Sequence, residues 1–167
     1  ADFPRQPIRL VVGFASGGIS DVLARSIAAK MSVNLGQQVI VENKPGAGTT
    51  IAADWVAHAQ ADGYTLFFQD LTSHAINTAL YPKLPYDSLK DFQSVARMFN
   101  TGTVLVVSAS LPVNNLEQLL AWIKANPKRA NFASTAYGTV SHLPSAYLSK
   151  ISGMPMTHIP YNNAGQL

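Results

Sequence analysis

Cysteine is absent from all 167 residues, which excludes disulfides, thiolate zinc sites and thiol catalysis together. Charge is sparse: 13% of residues are Asp, Glu, Lys or Arg, and the net charge is only +3. The cationic residues are scattered, with only Lys128 and Arg129 adjacent, so no basic stripe with interleaved aromatics speaks for nucleic acid. No apolar run approaches the ~18 residues of a membrane-spanning helix. No Gly-Lys-Ser/Thr closes a phosphate loop, and Gly13, Gly17 and Gly18 do not fit the dinucleotide spacing. No Gly-x-Ser-x-Gly elbow frames a serine, and no histidine pair has the helical spacing of zinc ligands. What remains is a chain 47% hydrophobic, able to bury a real core and compatible with small anions.

The most informative stretch runs from Arg9 to Asp21. Ile8, Leu10, Val11 and Val12 make a short apolar run, the mark of a strand buried on both faces. Gly17 and Gly18 free the backbone to turn and to approach a ligand closely. Ser20 or Asp21 is the expected N-cap of the following helix. Such a junction leaves backbone N–H groups at a helix N-terminus, where the dipole also favours negative charge. The same joint occurs in α/β domains that bind nothing there. Any anion here is held by amides rather than by a charged side chain.

Along the chain, Asp21 to Leu35 reads as an amphipathic helix with Leu23, Ile27, Met31 and Leu35 inward, stopped by Gly36. Strands follow at Gln38–Val41 and Thr65–Gln69, separated by a loop from Glu42 to Gly48. A helix capped by Thr49 or Thr50 then turns Ile51, Trp55, Val56 and Ala59 inward. This alternation builds a parallel sheet, whose ligands gather at the carboxyl ends of the strands. A short helix is expected at His74–Leu80, and prolines 82 and 85 impose a loop. Further strands are expected at Gln93–Phe99 and Thr103–Ser108, with Asn100–Gly102 as the crossing point between two lobes. The rhythm then restarts with a helix capped by Asn114 or Asn115, a strand at Asn131–Ser134, and a helix from about Ser141 to Ile151 ended by Gly153. The last strand is expected at Met156–Ile159. A strand followed by Asn, Ala and Gly is normally the approach to another helix, so the chain reads as incomplete at its C-terminus.

These segments, in order, resemble one family. Phe14-Ala15-Ser16-Gly17-Gly18-Ile19-Ser20-Asp21 is similar to the first ligand loop of the tripartite tricarboxylate transporter solute-binding proteins, the Bordetella uptake family. Val41 to Gly48 resembles their second signature and Asp62-Gly63-Tyr64-Thr65 the third. Leu84-Pro85-Tyr86-Asp87, Ser141-His142-Leu143 and His158-Ile159-Pro160-Tyr161 continue the match. The resemblance implies an α/β fold of the periplasmic binding protein type II kind, with two lobes, each a central sheet flanked by helices. Residues 1–102 would form most of lobe one and 103–167 the first half of lobe two. It further implies a periplasmic protein, and the small residue Ala1 suits a processed mature terminus.

The implied ligand is a small carboxylate: a di- or tricarboxylate, an aromatic acid or an amino acid. Carried over by position, Phe14, Ala15, Ser16, Gly17, Gly18 and Asp21 lie near one carboxylate, with Asp70, Leu71, Thr72 and Ser73 at the neighbouring strand end. Ala136, Tyr137, Gly138, Thr139, Tyr161, Asn162 and Asn163 face the cleft from lobe two. The residues depart from the family pattern at Ser16, Ile19, Tyr137, Asn162, Asn163 and Gln166, which leaves the ligand's identity open. For Asp70, capping of the following turn stands beside ligand contact. The implied partners are the transporter's membrane subunits, with no cofactor, metal, nucleic acid or catalytic residue, and a monomeric full-length protein. Two alternatives stand beside this: a small-molecule hydrolase using Ser134, Ser141 or His142, and a truncated or swapped fragment without competent binding.

Overall fold

β1 (Ile8–Val12) is the central strand of the first of two compact units in the computed structural model, which describes residues 3–100 and 102–161. The units comprise residues 3–94 and 95–161. In the first, β1 pairs in parallel with β2 (Val39–Asn43) on one side and β3 (Thr65–Phe68) on the other. Ile8, Leu10, Val11 and Val12 are buried while Arg9 is exposed, as a strand flanked on both edges and covered on its faces requires.

α1 (Ile19–Leu35) connects β1 to β2, and α2 (Thr50–Ala57) connects β2 to β3. The helix α1 presents Ala24 and Ala28 most deeply to the sheet, with Leu23 and Ile27 flanking them against Leu10, Val12 and Phe68. Two alanines one turn apart let the helix axis approach the strands, so the larger side chains pack at the margins and Leu35 is left exposed. Gly36 ends α1 in the left-handed region at φ 65°, as its position predicts. The start differs from expectation: the N-cap is Gly18, without a capping side chain, and Ser20 and Asp21 fall inside the first turn. In α2 it is Ala52 and Ala53 that are buried, while Ile51 is exposed.

The strand ends are tightly packed. A Cβ on Gly13 would lie 2.8 Å from Thr49 Cβ, so only glycine admits this contact between the end of β1 and the turn Ala47–Thr49. That turn holds two non-glycine residues at positive φ, Ala47 at 46° and Thr49 at 74°, a costly conformation for a β-branched side chain. The Asn77 amide donates to the Gly48 carbonyl at 2.7 Å and ties the turn to a wide π-turn at Thr72–Ile76, which runs into α3 (Asn77–Leu80). The Tyr86 hydroxyl donates to the Ser73 carbonyl at 2.8 Å, pinning the proline-containing loop to the same place.

The second unit holds α4 (Leu116–Ala125), β4 (Asn131–Ser134), α5 (Leu143–Ser152) and β5 (Thr157–Pro160), with β4 and β5 paired in parallel. Asn115 caps α4 by accepting the Gln118 N–H at 2.9 Å, and Leu119, Ile123 and Ala130 form the local core. Pro144 lies in the first turn of α5, where its missing N–H costs nothing, and Gly153 closes that helix at φ 67°.

The strands expected at Gln93–Phe99 and Thr103–Ser108 are not formed. Among the described residues of both segments there is no β-ladder, and Val95, Val104 and Val106 are 82%, 80% and 79% exposed. An apolar β-branched run becomes a strand only when a neighbour takes up its N–H and C=O groups, and none of the described strands does so.

Candidate functional site

In the first unit the register places Val12 opposite both Asn43 and Phe68, so the loops leaving Gly13, Lys44 and Gln69 emerge side by side. This is the carboxyl end of a parallel sheet, where α/β folds collect ligands. The loop after β1 is organised around Asp21, which is 3% exposed. Its carboxylate accepts the Gly17 N–H at 2.9 Å, the Ser16 hydroxyl at 3.2 Å and Arg25 Nε at 3.0 Å, while Arg25 Nη2 lies 2.9 Å from its second oxygen. Gly17 sits at φ 83° with open space around it, so its backbone angle rather than crowding demands glycine. Arg25 Nη2 also donates to Asn43 Oδ1 at 3.1 Å, and Asn43 Nδ2 donates to the Phe14 carbonyl at 3.0 Å. The circuit closes on the loop where it began.

The Arg25 hydrogen bond, with help from the Gly17 N–H, holds the Asp21 carboxyl far below the usual carboxylate range despite its burial. It is therefore an anion at any ordinary pH, and its charge is matched by Arg25. The α1 N-terminus keeps no side-chain cap, which leaves first-turn N–H groups without a protein acceptor from that source.

The other residues expected on this sheet edge are placed as follows. Phe14 is half-buried against the core, Ala15 is half-buried, Ser16 is exposed and Gly18 is buried. Asp70 accepts the Thr72 N–H at 2.8 Å, the capping role. Thr72 and Ser73 are fully buried, Ser73 donating to the Gln69 side-chain carbonyl at 2.9 Å.

The second unit repeats the topology with neutral groups. Ser134 aligns with Pro160, so the loop after β4 and Tyr161 emerge together, and the Tyr161 N–H donates to the Ser134 carbonyl at 2.8 Å. The Ser141 hydroxyl accepts the Thr135 N–H at 3.1 Å and lies 2.9 Å from both the Thr135 and Thr139 hydroxyls. Gly138 turns the loop at φ 78°, and Thr139 donates to the Ala136 carbonyl at 2.9 Å. Tyr137 is 69% exposed, its ring 4.5 Å from that of buried His142. His142 in turn lies 4.4 Å from the His158 ring. Burial pushes both imidazoles below their ordinary pKa, and for His142 the neighbouring His158 adds to the effect. Asn162 and Asn163 lie outside the described residues.

Sequence reasoning singled out Ser134, Ser141 and His142 as a hydrolase alternative but missed the closest serine–histidine pair. Ser134 Oγ is 2.7 Å from His158 Nε2. The same hydroxyl donates to the Ala136 carbonyl at 2.9 Å, so the imidazole serves as donor to it, the reverse of a base activating a nucleophile. Ser134 is also fully buried. Arg25 and Asn43 were missed as well. Arg25 stands one helical turn after Asp21, a spacing that signals the pair, whereas Asn43 has no local signal. Among the described residues no cluster of three His, Cys, Asp or Glu side chains is placed to hold a metal.

Comparison with known proteins decides the family. Residues 23–167 match the profile described as "Tripartite tricarboxylate transporter family receptor". The chain belongs to this receptor family. It is 40% identical over 164 residues to a UPF0065 protein of Bordetella pertussis, a match covering 98% of this chain and 50% of that protein. Among solved structures it is similar to R. palustris Rpa4515 with adipate, at a TM-score of 0.92 and 34% identity, over 99% of this chain and 55% of that one. It is also similar to MatC (Rpa3494) from Rhodopseudomonas palustris with bound malate, at a TM-score of 0.81 and 33% identity, over 98% and 56%. The chain thus spans about half the length of the receptors it matches. The fold is the α/β architecture of these receptors, built on parallel sheets.

Proposed function

We propose that the protein is an extracytoplasmic receptor that captures a small carboxylate and delivers it to the membrane subunits of a tripartite tricarboxylate-type transporter. The observation that carries this is the loop 14–21: a glycine turn at a helix N-terminus without a side-chain cap, beside a buried acid whose charge is already matched. Such a loop offers amide dipoles to an anion without a competing unpaired negative charge. Two relatives of the same fold hold adipate and malate, which supports a dicarboxylate-sized ligand. On this view Phe14, Ala15, Ser16, Gly17 and Gly18 surround one carboxylate, with Asp70, Thr72 and Ser73 beside them. By the same family resemblance Ala136, Tyr137, Gly138, Thr139, Tyr161 and Asn162 are the ligand-facing residues that the second unit offers. The protein works in the periplasm as a monomer and releases its ligand unchanged.

A thermal-shift screen of the full-length protein with malate, adipate, aromatic acids and acidic amino acids tests the proposal. Binding to the native state alone raises the melting temperature in a saturable way. At least one acid is expected to do so, with no product formed on prolonged incubation. Gly17→Val is expected to abolish the shift, because valine does not tolerate the backbone angle of this turn. Saturable binding left intact in Gly17→Val would remove the loop from the site, and turnover of an acid or ester would make the protein an enzyme.

A further inference from the structure

Asp21 is the only buried acid among the described residues, and it stands in the loop assigned above to an anion. An unmatched carboxylate at that position would oppose the binding of a second one. Instead its oxygens are turned to Gly17, Ser16 and Arg25, and Arg25 passes the connection through Asn43 back to the Phe14 carbonyl. Every link of the circuit is a side chain meeting the loop backbone or another side chain of the circuit. We infer that Asp21, Arg25 and Asn43 are positioning residues, which set the shape of loop 14–18 and cancel the buried charge, and that none of them touches the ligand. This rests on the carboxylate-receptor reading for its functional meaning but not for its geometry.

The two charges are not equivalent. Asp21→Asn keeps an oxygen for the Gly17 N–H and leaves behind only Arg25, whose side chain is half in water. Arg25→Gln leaves an anion that is buried and unmatched beside the anion loop, the more damaging imbalance. Adding Asp21→Asn to Arg25→Gln removes that anion and makes the pair neutral. The second substitution is therefore expected to repair the first, which a loss of packing alone would not allow.

The test uses the full-length protein with Arg25→Gln, Asp21→Asn, the double variant and Asn43→Ala. In ligand-free protein, the Gly17 amide is read by its NMR shift and hydrogen-exchange protection. Protection is expected to fall about tenfold in Arg25→Gln, from the unmatched buried charge, and to return most of the way in the double variant. Calorimetric affinities for malate and adipate are expected to follow the same pattern. The ratio of the two affinities stays unchanged in every variant, because no ligand contact is altered. The inference is overturned if Arg25→Gln leaves Gly17 protected, if the double variant is no better than Arg25→Gln, or if the malate-to-adipate ratio moves. Should Arg25→Gln fail to fold while the double variant folds, that is itself the expected rescue. Wild-type protein that binds neither acid, yet shows the loss and recovery at Gly17, would overturn the ligand class and support the positioning circuit.

Discussion

The two units present the same local topology, strand to loop to helix, and furnish it with opposite chemistry. After β1 the loop is held by a full ion pair: Asp21 and Arg25, extended through Asn43. After β4 it is held by hydroxyls and imidazoles: Ser134, Ser141, Thr139, His142 and His158. Asp21 titrates far below any physiological pH, so the first loop keeps one electrostatic state. The second depends on two adjacent imidazoles remaining neutral, so its state can change within the range where histidine titrates. Similar backbones can thus be fixed by devices with different sensitivity to their surroundings.

Tryptophan makes the comparison measurable. Only two are present, Trp55 in the first unit beneath the Lys44 ammonium and Trp122 in the second against the Leu119–Ile123 core. Single-tryptophan variants then report each unit by fluorescence during urea unfolding. The largest effect is expected from Gly13→Ala, whose new methyl meets Thr49 and destabilises the Trp55-reported transition by about 2 kcal/mol, the range of an overpacked core. An equal shift at Trp122 would show that the units do not report separately.

Acid gives the next effect. His142 and His158 are held below the unfolded value of about 6.5, so below that pH the unfolded chain binds protons that the native unit does not. Their contribution is complete above that value and is lost as the pH falls from there through the lower folded values. In the first unit His74 has the same sign through burial. Exposed His58, raised by its hydrogen bond to the Asp54 carbonyl and by the Asp54 charge, has the opposite sign. Between pH 7 and 5 the Trp122 transition should therefore weaken, and more than the Trp55 transition. Equal slopes would break the contrast, as would a slope unchanged in His142→Gln. The smallest effect is expected from Asn115→Ala, which removes the α4 cap and costs the Trp122 transition about 1 kcal/mol.

What was legible in the chain was whatever depends on neighbours in sequence. Gly36 and Gly153 stop their helices because a left-handed residue is needed there, Asn115 caps α4, and the run Ile8–Val12 announces a buried strand by composition alone. Family resemblance in the ordered motifs led to the receptor fold. Features that depend on distant partners escaped. Asn43 joins the loop circuit only because β2 lies in register beside β1, and His158 meets Ser134 only across the β4–β5 pair. The apolar runs at Gln93–Phe99 and Thr103–Ser108 have strand composition, but a strand also needs a neighbour. On α1 and α2 the expected stripes of large side chains gave way to alanines, since the closest helix–sheet approach favours the smallest residues.

The parallel order β2–β1–β3 also has a kinetic consequence. Among the described strands of this sheet the earliest in sequence occupies the middle, and its second edge is closed only by Thr65–Phe68, after two helices and a strand have followed it. Pairing at such sequence separation is slow, because a long loop must be ordered before the contact forms. Until then the most apolar strand of the unit has an open edge, ready to pair with another chain. Folding of this unit is therefore paced by the arrival of β3, and a chaperone or a reduced rate of synthesis would be felt most over residues 8–68.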